Sequence, residues 1–336
     1  MKDDTSTSAP RAERRAAPSR PAIPRATKGP FLAPGDRPTY PSDEGPSFPI
    51  RIIGERINPG FKSTKALFDE QDLAGIQALA VKQAEAGASW LNVNVGSRAM
   101  TEPEWMATVI RAIQEVTSVP LSFDFPSKKV QRACLKAYDA AKAGGRLPIV
   151  NSITEHRWDL MDLYGEFRFK VILMASERVE DGKALGNKTA DEIHATARRG
   201  ALRLMHENGL AADDIFIDMS VSAIIADTER LNRSTLDAIE RIGADPAMKG
   251  VHMMGGLSNI GQQMPPKAVD GSELKHALEC AFLTLAVPHG FDTVLGTPWR
   301  RYEPLPADHY VLATYRNFLE QSGSNALRAV RKFYKA

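Results

Sequence analysis

Several short apolar runs in this chain end in carboxylate or amide side chains. Carboxylates accept hydrogen bonds and amides both donate and accept them, so a cluster of the two can bind a ring edge that carries N–H, NH₂ and C=O groups. Along the chain these residues are Glu55, Asn92, Asp124, Asn151 and Asp218, and a later run leads into GGLSNIGQQ, with Gly256, Ser258, Asn259 and Gln262. No Lys or Arg directly follows Asp124 or Asp218, so the pattern favours neither an ion pair nor a phosphate ligand there.

Each of these residues taken alone also has a structural explanation. Asp, Asn and Ser are favoured helix caps, Asp124 precedes a predicted helix, Asp218 precedes a turn, and Asn151 could cap a helix that starts near Thr154. Six runs with such endings are harder to explain as caps alone. The pattern therefore predicts a site for a heterocycle such as a pterin or a purine.

The sequence gives little support for a metal site, a nucleic-acid partner or a membrane span. The seven histidines show no paired ligand spacing, and Cys134 and Cys280 lie far apart inside apolar helical patterns, which predicts two buried thiols and no metal site. The net charge of +2 is too small to favour nucleic acid. No apolar run reaches the roughly 18 residues of a membrane span, so we expect a cytoplasmic protein.

Eight strand-like runs alternate with helix-length patterns from residue 50 onward. The runs are Ile50–Glu55, Trp90–Val95, Pro120–Asp124, Pro148–Ser152, Lys170–Ala175, Asp214–Asp218, Gly250–Met254 and Phe291–Gly296. The helices are Asp72–Ala86, with Gln83 on its polar side, Pro103–Thr117, Ser127–Ala143, Thr189–Asn208, Thr228–Gly243 and Ser272–Val287. Consecutive apolar residues are typical of parallel strands covered on both faces, and eight such units predict an α/β fold of the (β/α)₈ TIM-barrel type. An open doubly wound sheet is the alternative, and the first strand lacks the G-x-G-x-x-G motif of its dinucleotide-binding form.

Residues 1–48 have a different composition from the rest. They are dense in Pro, Arg and Ser with few aliphatic residues, which predicts a flexible or loosely draped arm before a barrel at residues 49–336. An organelle transit peptide is disfavoured by the acidic residues and prolines in this segment.

The strand-end motifs together resemble a known family. GERIN (54–58), LNVNVG (91–96), FD (123–124), VNS (150–152), FID (216–218) and GGLSN (255–259) occur in order. This series is similar to the pterin-binding TIM-barrel family, and specifically to the methyltetrahydrofolate:corrinoid methyltransferases, whose module also occurs as the folate domain of cobalamin-dependent methionine synthase. Dihydropteroate synthase is a more distant relative. One departure is Asn92, which stands where many members have Asp.

The resemblance implies roles for the individual residues. Asp124, Asn151 and Asp218 would hold the pterin ring, together with Glu55 and Asn92. Asn259 would hydrogen-bond near N5 of the folate, with Asp124 behind it as the second catalytic residue. Gly256, Ser258 and Gln262 would line the same loop, and Lys267 lies near the position of an arginine that contacts the outer part of the folate in a family member.

The resemblance also implies the reaction and its partners. A methyl group would move between N5 of tetrahydrofolate and the cobalt of a corrinoid, in a direction that the residues do not reveal. The chain contains no Asp-x-His-x-x-Gly motif, so the cobalamin would be carried by a partner protein that docks at the barrel mouth, and the family also suggests a homodimer.

Two alternatives stay open. The basic pair Arg300 and Arg301 after the last strand could serve a dihydropteroate synthase-like enzyme with a pyrophosphate site, and the amide at Asn92 could indicate a non-catalytic pterin-binding barrel. Trp299, Arg300 and Tyr302 are interpreted as a loop that anchors the last helix, or else as a lip that contacts the folate tail or the partner.

Overall fold

The computed structural model describes residues 47–335, which form a closed barrel of eight parallel strands. In chain order the strands are β1 Arg51–Ile57, β2 Trp90–Val93, β3 Leu121–Asp124, β4 Ile149–Ile153, β5 Lys170–Met174, β6 Glu177–Glu180, β7 Lys183–Gly186, β8 Ile215–Asp218, β9 His252–Gly256 and β10 Phe291–Gly296. The barrel order is β1-β10-β9-β8-β5-β4-β3-β2, while β6 and β7 form a separate antiparallel hairpin. The predicted TIM barrel is therefore confirmed, and the open sheet is excluded.

Helices between the strands form the outer layer. They are α1 Lys65–Asp69, α2 Leu73–Glu85, α3 Arg98–Thr101, α4 Pro103–Val116, α5 Lys128–Ala137, α6 Ala190–Asn208, α7 Leu231–Ala244, α8 Leu274–Ala286, α9 Tyr310–Leu319 and α10 Gly323–Lys332. Two 3₁₀ segments that meet at a kink at Arg157 (φ −115°, ψ 37°) span Glu155–Gly165, in place of an α-helix after β4. Within residues 47–335 none of these helices combines the length and apolar character needed to cross a bilayer.

All eight predicted barrel strands occur; β10 has the predicted bounds, and the other seven have ends shifted by one or two residues. The largest shift is at β9, which begins at His252 instead of Gly250 and continues to Gly256. Gly250 has φ +93°, a left-handed conformation that belongs to the turn before the strand. The extension brings β9 directly up to the loop that carries Asn259.

The helix predicted at Ser127–Ala143 ends earlier, at Ala137. The Gln114 side chain explains the difference, because its amide donates to the Asp139 carbonyl and accepts from the Asp139 N–H, both at 2.9 Å. These bonds hold the backbone away from the helical path, so the segment after Ala137 continues as turns. Cys134 in α5 and Cys280 in α8 are buried free thiols, as predicted.

The placement of Gln83 on a polar helix face was wrong. Gln83 is fully buried, and its Oε1 accepts from the Arg56 backbone N–H at 2.9 Å. The space comes from Gly54 in β1, where an added Cβ would lie 2.6 Å from that oxygen. Helix α2 is therefore fastened to the end of β1 by a buried amide.

Strand alternation builds both the barrel core and the mouth above it. Seven side chains fill the barrel interior, namely Ile53, Trp90, Ile149, Ile172, Phe216, Met254 and Leu295. Because side chains two apart on a strand share a face, the next inward positions toward the carboxyl end are Glu55, Asn92, Asn151, Met174, Asp218 and Gly256. The polar strand ends predicted from the sequence thus converge at the carboxyl end of the barrel.

The opposite end of the barrel is occupied by ion pairs. Lys170 Nζ lies 3.0 Å from Asp213 Oδ2 and 2.8 Å from Asp214 Oδ1, and His252 bonds to Asp213 and to Asp292. These residues balance one another's charges, which marks this end as structural. The carboxyl end is where barrel enzymes place their active sites.

The predicted flexible arm at residues 1–48 lies outside the described residues except for its last two. Of those two, Phe48 is buried against the barrel, and its N–H donates to the Tyr302 carbonyl at 3.3 Å.

Candidate functional site

Asp124 is the centre of a hydrogen-bond cluster at the mouth. Asn92 Nδ2 donates to Asp124 Oδ2 at 3.0 Å, and Asn94 Nδ2 donates to the same oxygen at 3.2 Å. Asn151 Nδ2 in turn donates to Asn92 Oδ1 at 3.4 Å. Parallel pairing of β3 with β4 sets Asp124 beside Asn151, so three neighbouring strands supply one cluster.

Asn92 is the buried support of this cluster. Its side chain is 1% exposed, and both ends of its amide are already hydrogen-bonded. Asp124 and Asn151 lie nearer to solvent, and Asp124 Oδ1 and Asn151 Oδ1 have no donor within residues 47–335. Neither residue caps a helix: Thr154 caps the segment after β4, with its side chain accepting from the Arg157 N–H.

Asp218 supplies a second carboxylate from β8. Its Oδ1 accepts from the Ser220 backbone N–H at 2.7 Å, a bond that the left-handed conformation of Ser220 (φ +49°) makes possible. Burial raises the pKa of Asp218 to about 6, with the charge of Asp124 raising it further and the Ser220 N–H opposing both. Burial also raises the pKa of Asp124, against the stabilising bonds from Asn92 and Asn94. The two carboxylates are therefore close enough to affect each other's ionisation.

Glu55 joins β1 to the loops after β9 and β10. The Ser258 hydroxyl donates to Glu55 Oε2 at 2.9 Å, and the Thr297 hydroxyl donates to Oε1 at 3.0 Å. Glu55 is 6% exposed, and burial raises its pKa in spite of the two hydroxyl donors. Both carboxylate oxygens are occupied, so Glu55 holds the loops in place.

Asn259 lies exposed on a short 3₁₀ turn, Leu257–Asn259, directly after β9. Gln262 Nε2 donates to Asn259 Oδ1 at 2.9 Å, which fixes the orientation of the Asn259 amide. Asn259 Nδ2 has no acceptor in the part of the chain that the structure describes. Gly256 makes room for it, because an added Cβ there would lie 3.2 Å from Nδ2.

Lys267 stands apart from the other predicted site residues. It is exposed, and its backbone pairs with Glu273 just before α8. Within residues 47–335 no hydrogen bond or ion pair joins its side chain to the carboxylate cluster.

The loop after β10 is anchored to the helical layer. Arg300 Nη1 contacts both oxygens of the buried Glu279 in α8, at 2.9 and 3.0 Å, and Tyr302 is 4% exposed. Arg301 lies 3.4 Å from Glu303. Trp299 remains partly exposed, with the Lys82 ammonium 4.4 Å from its ring centroid. The interpretation of this stretch as an anchor is the one that the contacts favour.

No group of three His, Cys, Asp or Glu side chains within residues 47–335 is arranged to hold a metal ion. His194 bonds to Asp245, and His252 belongs to the ion pairs at the other end of the barrel. The mouth is thus a set of hydrogen-bonding groups in which acceptors predominate.

Two residues at the mouth were missed by the sequence analysis. Thr297 donates the second hydrogen bond to the Glu55 carboxylate, and Arg157 Nη2 donates to Ser152 Oγ at 3.2 Å. Thr297 directly follows the last strand and could have been found by its position. Arg157 lies at the kink between two 3₁₀ segments, and no local pattern in the sequence distinguishes it.

Comparisons with known proteins agree with this architecture. Residues 55–295 match the family described as pterin binding enzyme. A curated relative, methylcorrinoid:tetrahydrofolate methyltransferase of Eubacterium limosum, is 25% identical over 257 residues, which cover 74% of this chain and 86% of the relative.

Solved structures of dihydropteroate synthases share the fold. The enzyme from Stenotrophomonas maltophilia with active site-bound imidazole has a TM-score of 0.51 at 21% identity, covering 84% of this chain and 92% of that one. The enzyme from Coxiella burnetii in complex with pteroic acid has a TM-score of 0.51 at 17% identity, with the same coverage. At these identities the likeness concerns the fold alone. The family match spans most of the barrel, from the end of β1 to the end of β10, and this chain belongs to the pterin binding enzyme family.

Proposed function

We propose that this protein transfers a methyl group between the cobalt of a corrinoid protein and N5 of tetrahydrofolate. The observation that carries the proposal is the Asn259 amide, which Gln262 orients and which leaves Nδ2 unpaired beside an acceptor-rich pocket. The name of the Eubacterium limosum relative supports the methylcorrinoid as donor and tetrahydrofolate as acceptor. The same site would serve the reverse direction.

The pterin ring would be bound by Asp124, Asn151 and Asp218. Each of these residues has a side-chain oxygen that receives no hydrogen bond within residues 47–335. These oxygens would accept hydrogen bonds from the N–H and NH₂ groups on the ring edge. Asn92 and Glu55, with their polar atoms already occupied, would act by positioning the others. Gly256 and Ser258 would line the N5 side, and the exposed Lys267 would serve the outer part of the folate.

Transfer requires charge on N5 to be stabilised while the methyl bond is partly formed. In the direction from methyltetrahydrofolate to cobalt, the Co(I) corrinoid would attack the methyl carbon, the electron pair of the broken C–N bond would stay on N5, and N5 would take a proton from solvent. Asn259 Nδ2 would donate a hydrogen bond to N5 and stabilise the negative charge that develops there, as oxyanion-hole donors do, and one such donor contributes about 3–4 kcal/mol. The opposite direction would pass through the same transition state, with the N5 proton leaving to solvent before the methyl group arrives. Asp124 would accept a hydrogen bond from the water, or take the proton, that N5 exchanges.

The corrinoid is a substrate that a partner protein presents at the mouth. Asn259 and Gln262 are exposed, so a methyl group carried on another protein would have access to a folate bound beside them. A homodimer and a cytoplasmic location remain predictions.

The contacts after β10 weigh against a dihydropteroate synthase-like reaction. A pyrophosphate site needs basic side chains that are available to the ligand. Arg300 contacts Glu279 and Glu273, and Arg301 contacts Glu303, so the basic pair is engaged by carboxylates.

Calorimetric titration with tetrahydrofolate, followed by anaerobic mixing with methylcob(III)alamin, tests the proposal. We expect binding at a single site and a tetrahydrofolate-dependent loss of the methylcobalamin absorbance. The absence of tetrahydrofolate binding would overturn the assignment of the pocket. Binding of tetrahydrofolate without methyl transfer from free methylcobalamin or from a methylated corrinoid protein would support the non-catalytic alternative.

A further inference from the structure

Arg157 is a guanidinium at the mouth without a carboxylate partner. Its Nη2 donates to Ser152 Oγ at 3.2 Å and approaches Met174 Sδ at 3.6 Å. Its Nε is buried and has no acceptor in the described part of the chain. No Asp or Glu among residues 47–335 lies within ion-pair distance of it, although ion pairs engage most arginines of the barrel exterior.

The two contacts place this guanidinium beside the ring-binding residues. Ser152 directly follows Asn151 in β4, and Met174 of β5 is paired in register with Asp218 of β8. Met174 also occupies the inward position two residues beyond the core residue Ile172. The Arg157 guanidinium therefore lies at the carboxyl ends of β4 and β5, and β5 stands between β8, which carries Asp218, and β4, which carries Asn151.

One edge of a pterin ring needs both hydrogen-bond acceptors and a hydrogen-bond donor from the protein. Its 2-amino group and N3–H donate, and the carbonyl at position 4 beside them accepts. Carboxylates satisfy the donors and repel the carbonyl oxygen, so a donor is needed next to Asp218. A guanidinium supplies several fixed N–H donors and never acts as an acceptor.

Resting on the proposed function, we propose that Arg157 donates to the ring carbonyl at position 4 and selects 4-oxo over 4-amino pteridines. An amino group in place of that carbonyl would direct its hydrogens at the guanidinium hydrogens. Leaving such a donor unpaired beside the charge removes a hydrogen bond to a charged group, which corresponds to about a 10- to 100-fold difference in affinity.

The test is the ratio of two dissociation constants, for tetrahydrofolate and for its 4-amino-4-deoxy analogue, measured by calorimetry. The two ligands share the same tail, so contacts to the glutamate cancel in the ratio. We expect the unaltered protein to prefer tetrahydrofolate by about 10- to 100-fold. Arg157→Met should lose most of this preference by weakening tetrahydrofolate alone, and Arg157→Lys, which keeps one donor group, should retain part of it.

The matched control is Arg111→Met, an exposed arginine on the outer helix α4, which should leave the ratio unchanged. Thermal unfolding of each variant establishes that it is folded. An unchanged ratio in Arg157→Met would overturn this inference and leave the proposed function standing. Equal weakening of both ligands would also overturn it, because it would place Arg157 on the shared tail. If the unaltered protein bound neither ligand, the proposed function itself would fail.

Discussion

The Ser258 hydroxyl donates to Glu55 at 2.9 Å across 203 positions of sequence, and this bond joins the first barrel strand to the loop that carries Asn259. Thr297 binds the other oxygen of the same carboxylate. A single buried side chain therefore holds the loops after β9 and β10 against β1. The position of the Asn259 amide depends on a residue that has no free atom to offer a ligand.

Glu55→Gln tests this positioning role. The amide keeps the size of the side chain but retains only one acceptor oxygen, so one of the two hydroxyl bonds is lost. Loss of one neutral-to-charged hydrogen bond predicts a fall in kcat of about 10-fold, with little change in the Kd for tetrahydrofolate. Steady-state kinetics with calorimetry separates the two. A large rise in Kd at unchanged kcat would show instead that Glu55 binds the substrate directly.

Gly256→Ala tests the placement of Asn259. Gly256 has φ −79°, which alanine adopts freely, but the new Cβ would lie 3.2 Å from Asn259 Nδ2. We expect kcat to fall by about 10-fold because the amide is displaced, while tetrahydrofolate still binds. The control is Gly165→Ala, where an added Cβ meets nothing within 4 Å. Equal kcat values for the two variants would contradict the placement.

Binding of tetrahydrofolate should depend on the ionisation of Asp218. Burial raises the pKa of this carboxyl to about 6, and only the ionised form accepts from both ring donors. The affinity should therefore be constant above about pH 7 and fall by up to about 10-fold per pH unit below pH 6. Calorimetry between pH 5 and pH 8 measures the profile, and Asp218→Asn should bind more weakly and lose this dependence.

The stability of the same variant provides an independent check. Because the folded-state pKa of Asp218 lies above the ordinary value of 3.8, the folded protein binds this proton more tightly than the unfolded chain does. The free energy of unfolding therefore falls as the pH rises from about 4 to 6, and the loss persists above that. Asp218→Asn should be more stable than the unaltered protein near pH 7.5, by about 1–2 kcal/mol, with the gain vanishing near pH 4. A destabilised variant at pH 7.5 would contradict the shift.

Asn92→Asp should make the mouth sensitive to pH. The substitution replaces the N–H donor that lies 3.0 Å from Asp124 with a third carboxylate. Two neighbouring carboxylates repel each other when both are ionised, so the pKa of one of them must rise. The free energy of unfolding then falls as the pH increases through that raised pKa. Urea unfolding should show a loss of about 1–3 kcal/mol at pH 8 that is largely recovered near pH 5. The exposed Asn325→Asp serves as the control, and an equal response of both variants would contradict the buried contact.

The barrel strands and most of the polar residues at the mouth could be predicted from local sequence, whereas the contacts between loops could not. Strand alternation places Glu55 two residues after Ile53 and Asn151 two residues after Ile149, so the inward polar ends are readable from the order of residues. The partners of those ends depend on barrel closure, which brings Ser258 to Glu55. Gln83 was assigned to solvent because helical periodicity does not reveal that Gly54 leaves a pocket for its amide. Arg157 was missed for the same reason, since its contacts come from two different strands.

The most direct test follows a labelled methyl group. The protein is incubated anaerobically with tetrahydrofolate and trideuteromethyl-cob(III)alamin, and the folate is analysed by mass spectrometry against the Asn259→Ala variant. The account predicts trideuteromethyl-tetrahydrofolate in the reaction with the unaltered protein, and a rate reduced by about 100- to 1,000-fold in the variant. An equal rate in both proteins, or a label that stays on cobalt while tetrahydrofolate is bound, would contradict it.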